Sequence, residues 1–412
     1  MQQDIEIAVI GGGAAGFMAA ISCKTHHPGA RVFIYEKSDK LLAKVKISGG
    51  GRCNVTHACF TNSQLVKFYP RGEKFLKKTF TQFSSTDTVK WFEDRGVKLK
   101  TEDDGRMFPV TDDSQTIINC LLRETEKLGI SIQLHTPIMG IEKETGKFKL
   151  TLRDKIVYVD KVIIASGGSP KIEGFDWIKR LGHIIEPPVP SLFTFNMPQE
   201  PVKALMGVSV GNASVRIPGT KLKTEGALLI THWGMSGPAV LKLSAWGARV
   251  LKDFNYQFTI QVNWLGLMNE DEARNILAEE IRLHPKKKIS NSNPFQLPGR
   301  LYAFLLSKIG IHPEITFTET GKKNQNRLLN TLVNDEYKVE GKTTFKEEFV
   351  TCGGVNLGEV SAETMESKVC PGLYFAGEVL DIDGVTGGFN FQAAWTTGFI
   401  AGKLGSVSET LQ

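Results

Sequence analysis

The sequence predicts an α/β fold: a nucleotide-binding domain built on a parallel sheet, made discontinuous by an inserted β-rich and helical domain. Three observations predict it. The chain opens with a β-branched run, Ile5-Glu6-Ile7-Ala8-Val9-Ile10, that passes into a glycine turn and a helix-compatible stretch at 14–23. A continuous apolar run, Lys161-Val162-Ile163-Ile164-Ala165, has the character of a buried parallel strand whose C-terminal end faces a ligand. The same texture returns after about Val339, through 349–355 and 372–378, and ends in a helical stretch at 391–404. The expected division is 1–190 and 339–412 for the first domain and 191–338 for the insert.

The elements follow in order. After the glycine turn and first helix, Arg31-Val32-Phe33-Ile34-Tyr35 closes a βαβ unit of about 30 residues and ends at Glu36. A glycine-rich loop occupies 48–54. Apolar residues fall at helical spacing over 74–95 and again over 114–128, where Ile117, Ile118, Leu121, Leu122 and Leu128 share a face. Residues 131–160 alternate like short strands of a small antiparallel sheet, with a Gly-Lys turn at 146–147. Pro187, Pro188 and Pro190 suit neither helix nor central strand, so a domain boundary is expected there. Beyond it, 208–210, 213–217 and 258–262 read as strands, and 269–334 reads as helical and more basic.

Size and charge narrow the class. At 412 residues the chain exceeds the usual single core. Its formal charge of +6, from 50 basic and 44 acidic residues, is too mild to argue for nucleic acid on bulk charge. The six cysteines show no Cys-x-x-Cys pair and no Cys/His cluster, so neither a disulfide framework nor a metal site is expected, and a cytoplasmic location fits. Met1 to Asp4 run straight into the first strand without an export signal, and no apolar run approaches the ~18 residues of a membrane helix.

The chemistry begins at Gly11-x-Gly13-x-x-Gly16, with Ala14 and Ala15 in the turn. The first glycine permits the tight turn, the second lets a pyrophosphate approach the backbone, and the third lets helix and strand pack closely. The following helix start supplies amides and a favourable dipole. Glu36, twenty positions after Gly16 with Lys37 beside it, stands where an acid accepts from ribose hydroxyls. An acid there disfavours a 2′-phosphate, so FAD or NAD is preferred, and the glycines alone do not choose between them. Ala165, Ser166 and Gly167 lie at the C-terminal end of the apolar run 161–165, which faces the same ligand. Gly377-Glu378 after a strand, and Gly387-Gly388 before the last helix, favour a flavin: amides at that helix start would stabilise the negative charge a reduced flavin develops around N1 and C2=O.

Three longer motifs carry a resemblance. Lys44-x-x-x-Ser48-Gly49-Gly50-Gly51-Arg52-Cys53-Asn54, Thr231-His232-Trp233-Gly234-Met235-Ser236-Gly237-Pro238, and Gly377-Glu378-Val379-Leu380-Asp381-Ile382-Asp383-Gly384-Val385-Thr386-Gly387-Gly388-Phe389-Asn390 together resemble the bacterial BaiN-like flavoproteins, a family that includes aminoacetone oxidases. The resemblance spans the first strand to the last helix. It implies a discontinuous Rossmann-like FAD-binding domain of the two-dinucleotide-binding-domains flavoprotein type. By motif position, Lys44, Ser48, Gly49, Gly50, Arg52, Cys53 and Asn54 would run along the pyrophosphate and flavin. Gly377, Glu378 and Asp381 would serve the ribityl and phosphate end, and Gly387, Gly388, Phe389 and Asn390 the pyrimidine edge of the ring.

Four residues are weighed individually. Arg52 beside glycine-rich backbone reads as an anion clamp. Cys53 has no second cysteine at exchange spacing and reads as a small packing residue near the flavin. His232, between a strand end and a helix that Pro238 can begin, is a candidate acid or base, though a lone histidine is more often structural. Arg106 is a candidate for holding an anionic substrate, or it simply bridges Glu102, Asp103 and Asp104.

The resulting expectation is an FAD-dependent oxidoreductase with a substrate pocket between the FAD domain and the insert. The resemblance leaves the substrate open, because the family includes amine oxidases, reducers of conjugated double bonds in bile acids, and enzymes forming dihydrouridine in ribosomal RNA. The partner is thus a small molecule or ribosomal RNA, which Lys286, Lys287, Lys288, Lys322, Lys323 and Arg327 of the insert would grip by its phosphates. A flavin-binding protein without turnover is the remaining alternative. The sequence has no second Gly-x-Gly-x-x-Gly unit, so NAD(P)H as electron donor would dock transiently over the flavin.

Overall fold

The computed structural model describes residues 5–343 and 350–405, which fall into two compact units: one holds the described residues up to Pro190 and from Val350, the other runs from Ser191 to Thr343. Met1 to Asp4 and Phe349 lie outside the described residues.

The first unit is organised by a five-stranded parallel sheet. Its strands, in spatial order, are Leu373–Phe375, Lys161–Ile164, Glu6–Ile10, Arg31–Tyr35 and Ser131–Gln133. The central strand pairs Ile10 with Ile164 on one side and with Tyr35 on the other. The chain first leaves Glu6–Ile10 towards one neighbour and much later returns to the other. The crevice outside Ile10 and Ile164 is therefore the switch point at which ligands bind in open α/β sheets. Strands covered on both faces read as continuous apolar runs, which is why the four other than Ser131–Gln133 were visible in the sequence.

The first helix, Ala14–His26, is apolar on nearly every side and packs against the last helix, Phe389–Gly402. The approach requires glycine. A Cβ on Gly398 would lie 2.5 Å from the Ala15 carbonyl oxygen, and one on Gly402 would lie 2.3 Å from that of Ala19.

Several local expectations are revised. The stretch 74–95 is two helices, Glu73–Thr79 and Ser85–Glu93, because Ser84 forms a capping box with Asp87 and starts a new helix. Ser131–Gln133 joins the parallel sheet. The antiparallel sheet is formed instead by Gly140–Glu144, Lys147–Thr151 and Ile156–Val159. The prolines of 187–190 lie within a strand, Ile185–Ser191, in a two-stranded sheet with Val350–Val355. A two-stranded sheet has only edges, where a proline without N–H removes no central ladder bond.

In the second unit a seven-stranded sheet carries four helices of nine or more residues: Pro238–Trp246, Glu270–Leu283, Gly299–Lys308 and Phe317–Val333. Its edge strands, Asp335–Glu340 and Lys342–Thr343, are separated only by Gly341, so the sheet curls until its edges meet at that residue. Gly341 takes φ +124 there, and its carbonyl accepts from Asn196 N at 3.0 Å. Val339 pairs with Phe258, and Lys342 with Phe195. The second unit thus continues past residue 338, the limit expected from the sequence.

The core of this unit holds one buried polar cluster. The Asp335 carboxylate accepts from Trp264 Nε1 at 2.9 Å, from Lys308 Nζ at 2.5 Å and from the Tyr337 hydroxyl.

Candidate functional site

The three glycines of the first turn divide into two kinds. A Cβ on Gly11 would lie 2.3 Å from the Ala165 carbonyl oxygen, and one on Gly16 would lie 1.9 Å from that of Gly11. These two are glycines because protein occupies the space. Around Gly13 nothing lies within 4 Å, so its bareness faces open space at the start of a helix with no side-chain cap. That is the arrangement needed for a pyrophosphate to reach the backbone amides. Glu36 follows the second strand. Its Oε2 accepts from Gly12 N at 2.8 Å, and its Oε1 accepts from Ser38 N and Oγ, so the carboxylate is held at the turn. Lys37 and Ser166 are exposed, Ala165 is buried against Gly11, and Gly167 adopts φ +76 with open space around it.

The second glycine-rich segment is a helix that breaks. Ala43–Gly51 is helical until Ser48, after which Gly49, Gly50 and Gly51 all take positive φ, and Gly50 and Gly51 face open space. Ser48 Oγ donates to the Val45 carbonyl at 3.0 Å. Cys53 is fully buried at φ +61, and burial pushes its thiol up to about 12, which keeps it protonated and unreactive at neutral pH. Arg52 is committed to protein. Its Nη1 donates to Glu102 at 2.6 Å, and its guanidinium lies 4.0 Å from the Phe108 ring centroid. Arg106 bridges Glu102 at 3.0 Å and Asp104 at 2.7 Å, the blander of its two readings.

The third segment meets the other two inside the first unit. Lys44 Nζ donates to Glu378 Oε2 at 2.5 Å, and Glu378 Oε1 accepts from Thr351 N at 2.9 Å. Gly377 has φ +77 and lets this strand end close on Ala15, 2.7 Å from where its Cβ would stand. Asp381 N donates to the Val355 carbonyl at 3.1 Å. Gly387 and Gly388 take φ +130 and +91 immediately before the 14-residue helix Phe389–Gly402, which has no side-chain cap. The Phe389 side chain is buried, and Asn390 uses its amide to bond both backbone groups of Gly384 at 2.9 Å. Both side chains are thus engaged with protein at the start of the helix. Asn54 is likewise buried and bonded to protein.

Sequence reasoning missed several supports. Asp383, with no exposed side-chain surface, pairs through two hydrogen bonds with Arg71, itself 11% exposed, and so pins the loop between Glu378 and Gly387. Tyr69 OH donates to the Phe389 carbonyl at 2.7 Å. Thr351 Oγ1 is 1% exposed and has no hydrogen-bond partner among the described residues. It lies beside Gly168, where a Cβ would be 2.6 Å from it and 3.0 Å from Glu378 Oε1. A buried hydroxyl left unpaired next to the glycine turns is the mark of a site shaped for a polar ligand. The adjacent apolar strand, Val350–Val355, hid it as core.

His232 belongs to the second unit, exposed and edge-on to Trp233 with ring centroids 4.4 Å apart. A cavity of about 440 Å³ also lies in that unit, lined by Val210, Asn212, Trp264, Met268, Phe295 and Leu297, and it includes none of the residues singled out from the sequence. Among the described residues no three His, Cys, Asp or Glu side chains group to hold a metal, and no helix is long and apolar enough to cross a membrane.

A switch-point crevice, a dinucleotide turn with its acid, and two further glycine turns converging on an uncapped helix start define an FAD-binding oxidoreductase. The chain belongs to the HI0933-like family, whose model, the HI0933-like protein Rossmann domain, matches residues 5–404. It is 30% identical to the ribosomal RNA dihydrouridine synthase of Escherichia coli K12 over 401 residues, 94% of this chain and 95% of that one. The protein of the same name from Haemophilus influenzae is 28% identical, over 97% of this chain and 98% of the relative. A 3-dehydro-bile acid delta(4,6)-reductase of Clostridium scindens is 26% identical, over 96% and 98%.

Proposed function

We propose that this protein is a flavin-dependent reductase of carbon–carbon double bonds conjugated to a carbonyl. The observation that carries the reading is the uncapped start of Phe389–Gly402 behind two left-handed glycines. Unsatisfied amides and the positive end of the helix dipole favour negative charge, and so favour a flavin in its reduced, hydride-donating form. The names of the relatives support the direction of the chemistry: a dihydrouridine synthase reduces the uracil C5=C6 bond beside a carbonyl, and a delta(4,6)-reductase acts on a 3-dehydro steroid acid.

When bound, FAD would supply the two-electron chemistry of such a reduction, a hydride to the carbon β to the carbonyl balanced by a proton to the α carbon, with NAD(P)H as the source of the electrons. The chain's own part is to hold the cofactor. Glu36 selects an unphosphorylated ribose, Gly13 and the first helix start receive the pyrophosphate, and Lys44, Glu378 and Thr351 receive the ribityl chain. Anaerobic reduction with NADH or NADPH, followed by mixing with enones, matched saturated ketones and primary amines, tests the class. Reoxidation by enones alone is expected. Bleaching of the oxidised holoprotein by primary amines, mixed anaerobically without NAD(P)H, would refute it.

Within that class, uridine of ribosomal RNA is the second, narrower reading. Lys322, Lys323 and Arg327 are exposed on one helix, whereas Lys288 is paired with Glu314 and Lys287 lies 3.9 Å from Glu280. Charge reversal at 322, 323 and 327 is expected to weaken RNA binding and flatten its salt dependence. Undiminished dihydrouridine in the ribosomal RNA of cells carrying the triple variant would exclude RNA gripping by this face.

A further inference from the structure

The peptide joining Gly387 to Gly388 is held from both sides by one short segment. His57 Nδ1 lies 3.0 Å from the Gly387 carbonyl oxygen, which can only accept, so the Nδ1 proton is on that side. On the opposite edge lies the Asn54 amide: with its oxygen turned towards the Gly388 N–H it accepts at 3.0 Å and its nitrogen donates to the carbonyls of Thr56 at 3.0 Å and Met107 at 3.3 Å, the orientation of the two that sets donors against acceptors. The imidazole itself has little freedom. It stacks on Phe389, with centroids 4.6 Å apart and planes 29° from parallel, and Phe389 in turn stacks on Phe68 at 4.3 Å. On its Nε2 side stands Gly105, where a Cβ would be 2.5 Å from that nitrogen. This accounts for the glycine at 105, next to Arg106.

The clamp acts where backbone is least constrained. Two consecutive glycines at positive φ have broad alternatives, and a rotated 387–388 peptide would swing the first helical amides away from their common direction. We propose that His57 is a positioning residue for the flavin: by fixing the Gly387–Gly388 peptide it keeps the amides at the start of Phe389–Gly402 aimed at one point, and thereby stabilises the reduced cofactor. The inference rests on the placement of the flavin at that helix start.

The bond between His57 and Gly387 is an ordinary peptide-type hydrogen bond, with a net contribution of about 1 kcal/mol, or roughly fivefold. The test compares two holoproteins. His57→Phe keeps a ring on Phe389 and loses the donor, and His57→Asn loses the ring and keeps an amide donor in the place of Nδ1. His57→Phe is expected to lower the preference for reduced over oxidised flavin about fivefold, a fall in midpoint potential of about 20 mV for a two-electron couple. His57→Asn is expected to stay within about threefold of the unaltered protein. An unchanged potential in His57→Phe overturns the proposal.

If His57→Phe does not retain FAD, His57→Asn decides alone. A fivefold or larger shift in that donor-preserving variant overturns the proposal, and a wild-type potential supports it. Gly387→Ala separates this from the underlying placement: should it bind FAD with an unaltered spectrum and potential, the flavin does not sit at this turn at all.

Discussion

Alanine at Gly13 and at Gly16 should have opposite effects on the stability of the apoprotein, and the pair tests the reading of the dinucleotide turn most directly. Gly13 has φ −95 and ψ −174, ordinary extended backbone, and its Cβ would meet nothing within 4 Å. Alanine therefore fits the unliganded protein without strain, and the stiffer unfolded chain adds about 0.4–1 kcal/mol of stability. The same methyl stands where the pyrophosphate must approach. Each charge-assisted hydrogen bond it displaces contributes roughly 1.5–3 kcal/mol, so losing one weakens FAD binding by about 10- to 100-fold. At Gly16 the Cβ would lie 1.9 Å from a backbone oxygen, well inside contact, so the helix must move off the turn. Gly16→Ala should therefore lower the thermal midpoint of the apoprotein as well as abolish FAD binding. Apoprotein melting with fluorescence titration of FAD reads both quantities. Wild-type FAD affinity in Gly13→Ala would refute the assignment of the pyrophosphate to this turn.

Removing Asp383 as Asp383→Ala takes from Arg71 a fully buried carboxylate that it bonds twice, a change that costs about 3–5 kcal/mol in comparable settings, and urea unfolding should show a lower midpoint together with weaker FAD retention. His183, buried with Nε2 2.8 Å from Ser367 Oγ, is held below the ordinary histidine range by burial. Its folded-state value is depressed, so the stability it contributes is fully present above the unfolded value of about 6.5 and is lost as pH falls below it. Thermal midpoints taken from pH 7.5 down to pH 5 should therefore fall less steeply in His183→Asn than in the unaltered protein. Cys53→Ser should leave flavin reduction unchanged, because the thiol is fully buried and protonated; native alkylation at pH 8 should mark Cys59, which is partly exposed, before Cys53.

The parts of this protein that could be read directly were those whose cause is local. Glycines 11, 13 and 16 follow an apolar strand and open a helix within sixteen residues, and their roles depend on backbone angles and on the absence of a Cβ. Four of the five parallel strands were visible because both faces are covered, which makes each a largely apolar run. Ser131–Gln133 was misplaced because three residues carry too little pattern to distinguish a parallel edge from a hairpin. The prolines of 187–190 misled because proline excludes a central strand and not an edge one.

The candidate site divides along the same line. Sequence alone determined the dinucleotide turn, its acid Glu36, and the two later glycine turns, since each is a contiguous motif whose backbone conformation needs glycine. Only the tertiary structure decided which groups hold those turns in place. His57 reaches Gly387 across 330 residues, Arg71 reaches Asp383 across 312, and Lys44 reaches Glu378 across 334. It also decided that Arg52 and Arg106 share Glu102 and that Asn54 serves Gly388. Such pairings arise when the parallel sheet brings the two ends of the chain to one crevice, and no spacing along the chain encodes them.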